Sequence, residues 1–138
     1  MNYFSTFTLV IGLLFLSQTI AHDEWEAVEY SRENAHVPTP LPDRVVLTWE
    51  GNPSTTQSVT WRTDTSIKKG IAQLAIANAN GRTLKTAALD AKTSFFKSDI
   101  NEAHYHTVTF TKLTPDTLYT YRVGDGANWT EYYHFKTA

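Results

Sequence analysis

The stretch Ala103–Gly126 holds the residue types from which hydrolytic metal sites are built: His104 and His106 two apart, then Asp125 between Gly124 and Gly126. Histidines at i and i+2 of an extended chain point to one face, so the pair can address a single ion. A hydrolytic centre also needs a nearby carboxylate or third histidine and an open coordination position. Val108 and Phe110 run in phase with the pair, which puts both imidazoles nominally on the core face. That reading favours strand-edge or rim histidines over metal ligands. Asp125 reads as a hairpin-turn residue, because Asp tolerates turn conformations and bonds its own backbone. Asn128-Trp129-Thr130 is a glycosylation sequon, relevant only in a eukaryotic secretory pathway, whereas Asn52-Pro53-Ser54 is excluded by its proline. The chain has no cysteine, no Gly-x-Ser-x-Gly and no phosphate loop.

The elements that must position these residues have strand character. From Arg44 onward the pattern has period two: Val45, Leu47 and Trp49 alternate with Val46, Thr48 and Glu50. Gly51–Ser54 is turn chemistry. Val59, Trp61 and Thr63 alternate next, and Ile71–Ala77 is apolar enough for a buried strand. Asn78–Gly81 carries Asn-Gly, a strong hairpin signal, and Thr83–Leu89 returns as a strand. Asp90–Ala103 is polar around Phe95 and Phe96 and reads as a longer loop. Tyr105–Thr111, Leu118–Val123 and Thr130–Thr137 complete about seven short strands. No long run has the helical period, so the fold class is an all-β antiparallel sandwich over residues 43–138.

Upstream, residues 1–21 contain no charged side chain, and the apolar centre Leu9–Leu16 is too short to span a bilayer of ~30 Å as a helix. Thr19 and Ala21 are small residues at −3 and −1 of a cleavage point before His22. Residues 1–21 therefore read as a secretory signal peptide, although the n-region lacks Lys and Arg; the alternative is an uncleaved anchor. Cleavage leaves no stable membrane span and an exported protein, secreted or periplasmic. Residues 22–42 form an acidic, then Pro-rich lead-in. Five carboxylates precede residue 34 against one Arg, with a short helix expected over Glu24–Asn34; Pro38, Pro40 and Pro42 then stiffen the chain. The net charge of −2 supplies no basic field for nucleic acid. Without disulfides, a domain of ~95 residues must rest on its core, and its size permits that.

One segment carries more fold information than the others. In Leu113-Thr-Pro115-Asp-Thr117-Leu-Tyr119-Thr-Tyr121-Arg-Val123, Pro115 turns the chain and Thr117, Tyr119, Tyr121 and Val123 share a strand face. Leu-x-Pro-x-Thr-x-Tyr resembles the corner between two late strands of a fibronectin type III domain. Tyr119 is then the candidate for the tyrosine corner, its ring buried and its hydroxyl bonded back to the backbone. The predicted structural signature is Trp49, Trp61, Leu113, Pro115, Tyr119, Tyr121 and Phe135. Trp129 and Tyr132 are candidates for an exposed patch that binds carbohydrate or packs on a partner domain. The competing reading gives Tyr133 and Phe135 to the core and lays Tyr132 on a sheet face.

The resemblance extends beyond the fold. Pro40–Trp49, Val59–Asp64, His106–Asp125 and Trp129–Thr137 are similar, in order, to the N-terminal domain of purple acid phosphatases, also called calcineurin-like metallophosphoesterases, and most of all to bacterial secreted members. That resemblance implies acid phosphatase activity in a second, C-terminal domain. There a dinuclear metal centre (Fe with Fe, Zn or Mn) activates water and clamps phosphate. The motifs of that domain are Asp-x-Gly, Gly-Asp-x-x-Tyr, Gly-Asn-His-(Glu/Asp), a later His and Gly-His-x-His. Gly124-Asp125 starts like the second but has Asn128 where Tyr belongs. Ala103-His104-Tyr105-His106 lacks the Gly of the last, and the others are absent, so no metal or catalytic residue carries over. The second His coincides with a His common in the family's N-terminal domain. The expectation is a non-catalytic module lacking the catalytic domain, with no cofactor of its own and that metallophosphatase domain as partner. The rival function is a stand-alone exported binding or adhesion module, since this fold hosts many.

Overall fold

The computed structural model describes residues 36–78 and 84–138. The expected signal peptide, the Glu24–Asn34 helix and most of the Asn78–Gly81 hairpin lie outside them. The chain divides into Met1–Tyr30 and Ser31–Ala138, and every described residue belongs to the second unit.

Eight strands appear among the described residues: β1 (Asp43–Thr48), β2 (Gln57–Thr63), β3 (Ile71–Ile76), β4 (Ala87–Asp90), β5 (Lys92–Lys97), β6 (Glu102–Phe110), β7 (Leu118–Gly124) and β8 (Tyr133–Lys136). They form two antiparallel sheets, ordered β1-β2-β6-β5 and β4-β3-β7-β8. This is the expected sandwich, of fibronectin type III-like fold. The core comes from period-two alternation. Val59 and Trp61 of β2, Val108 and Phe110 of β6, Ala72 of β3, and Tyr119, Tyr121 and Val123 of β7 turn inward and meet Leu113 and Phe135. Phe135 stacks 5.5 Å from Tyr119 and 6.2 Å from Phe110 between ring centroids. Such pairs add about 0.5–1.5 kcal/mol each beyond burial.

Four expectations are corrected. The segment Asp90–Ala103 is not a loop: β4 ends at Asp90, Ala91 bonds across to Gly70 (2.8 Å), and the chain enters the other sheet as β5. Its side chains hardly alternate in burial because β5 is an edge strand, with Phe95 and Phe96 both more than half exposed. The strand expected over Thr83–Leu89 is regular only from Ala87, and the last strand starts at Tyr133 rather than Thr130. Trp49, expected in the core, is 75% exposed. Its spacing from Val45 and Leu47 suggested an inward position, but β1 stops at Thr48 and the chain leaves for the Gly51 turn, where φ is +87°. At its other end β1 carries a register irregularity between Asp43 and Val46, with Arg44 at φ +49°.

Candidate functional site

His104 and His106 lie on β6, an interior strand, and both side chains are buried. They are therefore not rim residues: His106 is fully enclosed, because its pairing with Trp61 on one side and Thr93 on the other leaves it no edge. Its ring lies 5.3 Å from that of Trp61 at 30°. Nε2 is 2.8 Å from the Thr63 hydroxyl, and Nδ1 is 2.9 Å from the Thr93 hydroxyl. The Thr63 hydroxyl donates to the Asp64 carbonyl at 3.0 Å. Nε2 therefore carries the proton and donates to Thr63 Oγ1, while Nδ1 accepts from Thr93. His104 Nδ1 donates to the Ile67 carbonyl at 2.7 Å. Burial, with the neighbouring His104, pushes the His106 pKa down to about 4. Gly70 closes the pocket from below: a Cβ there would stand 2.6 Å from Trp61 Cζ2 and 2.7 Å from His106 Cγ.

The pair cannot act as a dinuclear hydrolytic site. Both nitrogens of His106 and the Nδ1 of His104 are engaged, and the rings meet edge to face at 6.2 Å. Among the described residues no three His, Cys, Asp or Glu side chains are grouped to hold a metal ion. The family's metal centre does not fit the residues present.

Gly-Asp-Gly is a turn with an assigned role for each member. Asp125 Oδ1 accepts the N–H groups of Ala127 (2.8 Å) and Asn128 (2.6 Å), and Oδ2 accepts the Asn128 amide at 3.1 Å. Desolvation raises its pKa, but the N–H groups of Asn128 and Ala127 outweigh it and hold the carboxyl below its ordinary value. Gly124 admits no side chain, since a Cβ would fall 2.0 Å from the Asn128 carbonyl oxygen; Gly126 sits at φ +100°. Asn128, the sequon residue, is exposed on this turn.

The remaining signature residues have traceable contacts. The Tyr119 hydroxyl accepts the Thr114 N–H at 2.9 Å, tying the start of β7 to the turn that contains Pro115. Pro115 itself is exposed. Trp61 is fully buried, and its Nε1–H has no partner among the described residues. Arg122, which no sequence motif marked, organises the late aromatics. Its Cζ lies 4.4 Å from the Trp129 ring centroid and 4.8 Å from that of Tyr132, and its Nε donates to Gln73 Oε1 at 2.8 Å. Trp129 Nε1–H donates to the Gly126 carbonyl at 3.2 Å. These contacts engage a face of each ring and the indole donor with the protein itself.

Arg62 also carried no motif. Its guanidinium grips both Asp43 carboxylate oxygens, at 2.8 and 2.5 Å, and donates to the His36 carbonyl at 3.0 Å. With Asp64 N–H bonded to the Thr39 carbonyl (2.8 Å), this fixes the lead-in beside the end of β2.

The family model described as the purple acid phosphatase N-terminal domain matches residues 42–137. No curated protein matches the chain. Among solved structures, the third fibronectin III domain of human KIAA0343 protein is 19% identical, covering 73% of this chain and 83% of its own, with a TM-score of 0.47. A computer-redesigned β-sandwich protein is 22% identical, covering 70% and 93%, at 0.45.

Proposed function

Because the chain belongs to the purple acid phosphatase N-terminal domain family, we propose that it is the non-catalytic N-terminal module of an exported metallophosphoesterase. In this reading a C-terminal domain performs phosphate-monoester hydrolysis at a dinuclear metal centre. The observation that carries the reading is the chemistry of the His pair. The residues that most resemble metal ligands are bonded to threonine hydroxyls and a backbone carbonyl, within the stretch 42–137 that the purple acid phosphatase N-terminal domain model matches. The chain's own residues then act mechanically. Trp61 and His106 pack closely over Gly70, Tyr119 locks the corner before β7, and Arg62 clamps the lead-in. Export follows from reading residues 1–21 as a signal peptide.

Two measurements test this. Sequencing the transcript beyond the Ala138 codon should find Asp-x-Gly and Gly-Asn-His elements in some frame; unrelated sequence after a clean stop would favour the stand-alone binding module. N-terminal sequencing of the exported product should begin at His22, and a product that retains Met1 would contradict the cleaved signal.

A further inference from the structure

Trp49 is the most exposed of the large apolar side chains described, at 75%. Beside it, Leu47, Thr48 and Gln57 of one sheet face Phe135 and Lys136 of the other across a groove. β1 is the edge of the first sheet and β8 the edge of the second, so this groove is an open seam of the sandwich. A second cleft lies further along the same two strands, between Pro42–Val45 and the rings of Tyr121 and Tyr133. Ile76 and Leu118, at the ends of β3 and β7 on the same side of the molecule, are also about half exposed or more.

The last residue is fixed at this same pole. The Ala138 N–H donates to the Pro53 carbonyl at 3.3 Å, in the turn that follows Trp49, and the Ala138 carbonyl accepts the Asp116 N–H at 3.2 Å. Thr137 Oγ1 donates to the Thr114 carbonyl at 2.6 Å. Chain continuing from Ala138 therefore starts at the Gly51–Ser54 turn that follows Trp49, next to the Phe135–Lys136 side of the groove. The other exposed aromatic side chains, Phe95 and Phe96 at the end of β5 and Tyr132 in the segment before β8, lie toward the opposite pole.

We propose that the β1–β8 seam, with Trp49 as its anchor, is the docking surface for the domain that follows in the same protein. The inference rests on the proposed function above. Trp is the residue type most enriched at interface hot spots, and a large flat ring over an apolar groove suits a partner's apolar side chains. A covalent tether at Ala138 holds the partner at high effective concentration, so a small groove suffices to fix it. A partner packed there also covers the unpaired edges of β1 and β8, which otherwise invite pairing with another chain.

The test is tryptophan oxidation by N-bromosuccinimide, read by peptide mass spectrometry, on the chain alone and on the product extended through its encoded continuation. Trp49 should react at least about tenfold more slowly in the longer protein, the protection expected when access requires a rare opening, while Trp129 reacts alike in both. In the longer protein, Trp49→Ala should make the edge amides of β1 and β8 exchange as fast as in the chain alone. Equal Trp49 oxidation in the two forms, in a longer protein that hydrolyses phosphate monoesters, overturns this inference and leaves the proposed function standing. A continuation with no metallophosphatase activity removes both. Protection of Trp49 in the chain alone that grows with protein concentration would assign the seam to a second copy and overturn the proposal.

Discussion

Between pH 6.5 and 4.5, acid should destabilise this domain chiefly through one residue. His106 is fully buried, its Nε2–H and Nδ1 satisfied by two threonines, and its folded pKa is about 4 against 6.5 for the free side chain. The folded state refuses a proton that the unfolded chain accepts. Above pH 6.5 neither state is protonated and His106 has no pH-dependent effect. Between 6.5 and 4 the unfolded state alone gains the proton, and stability falls as pH falls; below 4 both bind it and the loss levels off. At 1.36 kcal/mol per pH unit the gap corresponds to roughly 3 kcal/mol, most of which is lost by pH 4.5. With a urea m-value of about 1.2 kcal/mol per molar for this size, the midpoint should drop by roughly 2 M between pH 8 and 4.5. The assay is urea unfolding by tryptophan fluorescence across that range, for the wild type and for His106→Gln. Gln cannot titrate but offers both a donor and an acceptor. The variant should lose most of the pH slope, because the other histidines are common to both proteins. A His106→Gln protein with the same slope as wild type would refute the assignment, and so would a wild type equally stable at pH 8 and 4.5.

Other substitutions separate framework from surface. Tyr119→Phe removes the acceptor of the Thr114 N–H while keeping the ring, and should cost about 1–2 kcal/mol in chemical denaturation. Gly124→Ala drives a methyl into the Asn128 carbonyl and should cost more than about 3 kcal/mol or prevent folding. The clash is with backbone, which cannot rotate aside as a side chain would. Trp49→Ala in the chain alone should change stability by less than about 0.5 kcal/mol, unlike any fully buried aromatic, because most of the ring already faces water.

Strands in which apolar and polar residue types alternate were legible in the sequence. In β2, β6 and β7 the alternation Val59-x-Trp61, Val108-x-Phe110 and Tyr119-x-Tyr121-x-Val123 names the inward residues directly. The method fails where that contrast is absent. β5 has lysines at both ends and two exposed phenylalanines, so an edge strand resembled a loop. Trp49 has the right phase but lies one residue past the end of β1, and phase carries no information once the pleat ends. The His pair was legible as inward-facing, but its depth was not. Depth depends on β6 lying between β2 and β5, and β5 was the strand hidden from the pattern. Arg62 and Arg122 left no signal because their partners, Asp43, Gln73, Trp129 and Tyr132, are brought to them by strand pairing and turns rather than by local spacing.

The central claim is that the metal-like residues of this chain are structural. Its most direct test is metal analysis of the purified domain together with turnover of p-nitrophenyl phosphate. The account predicts no stoichiometric Fe, Zn or Mn and no turnover above buffer, in a protein whose unfolding shows the intact sandwich. Stoichiometric metal, with turnover abolished in a folded His106→Gln variant, would contradict it.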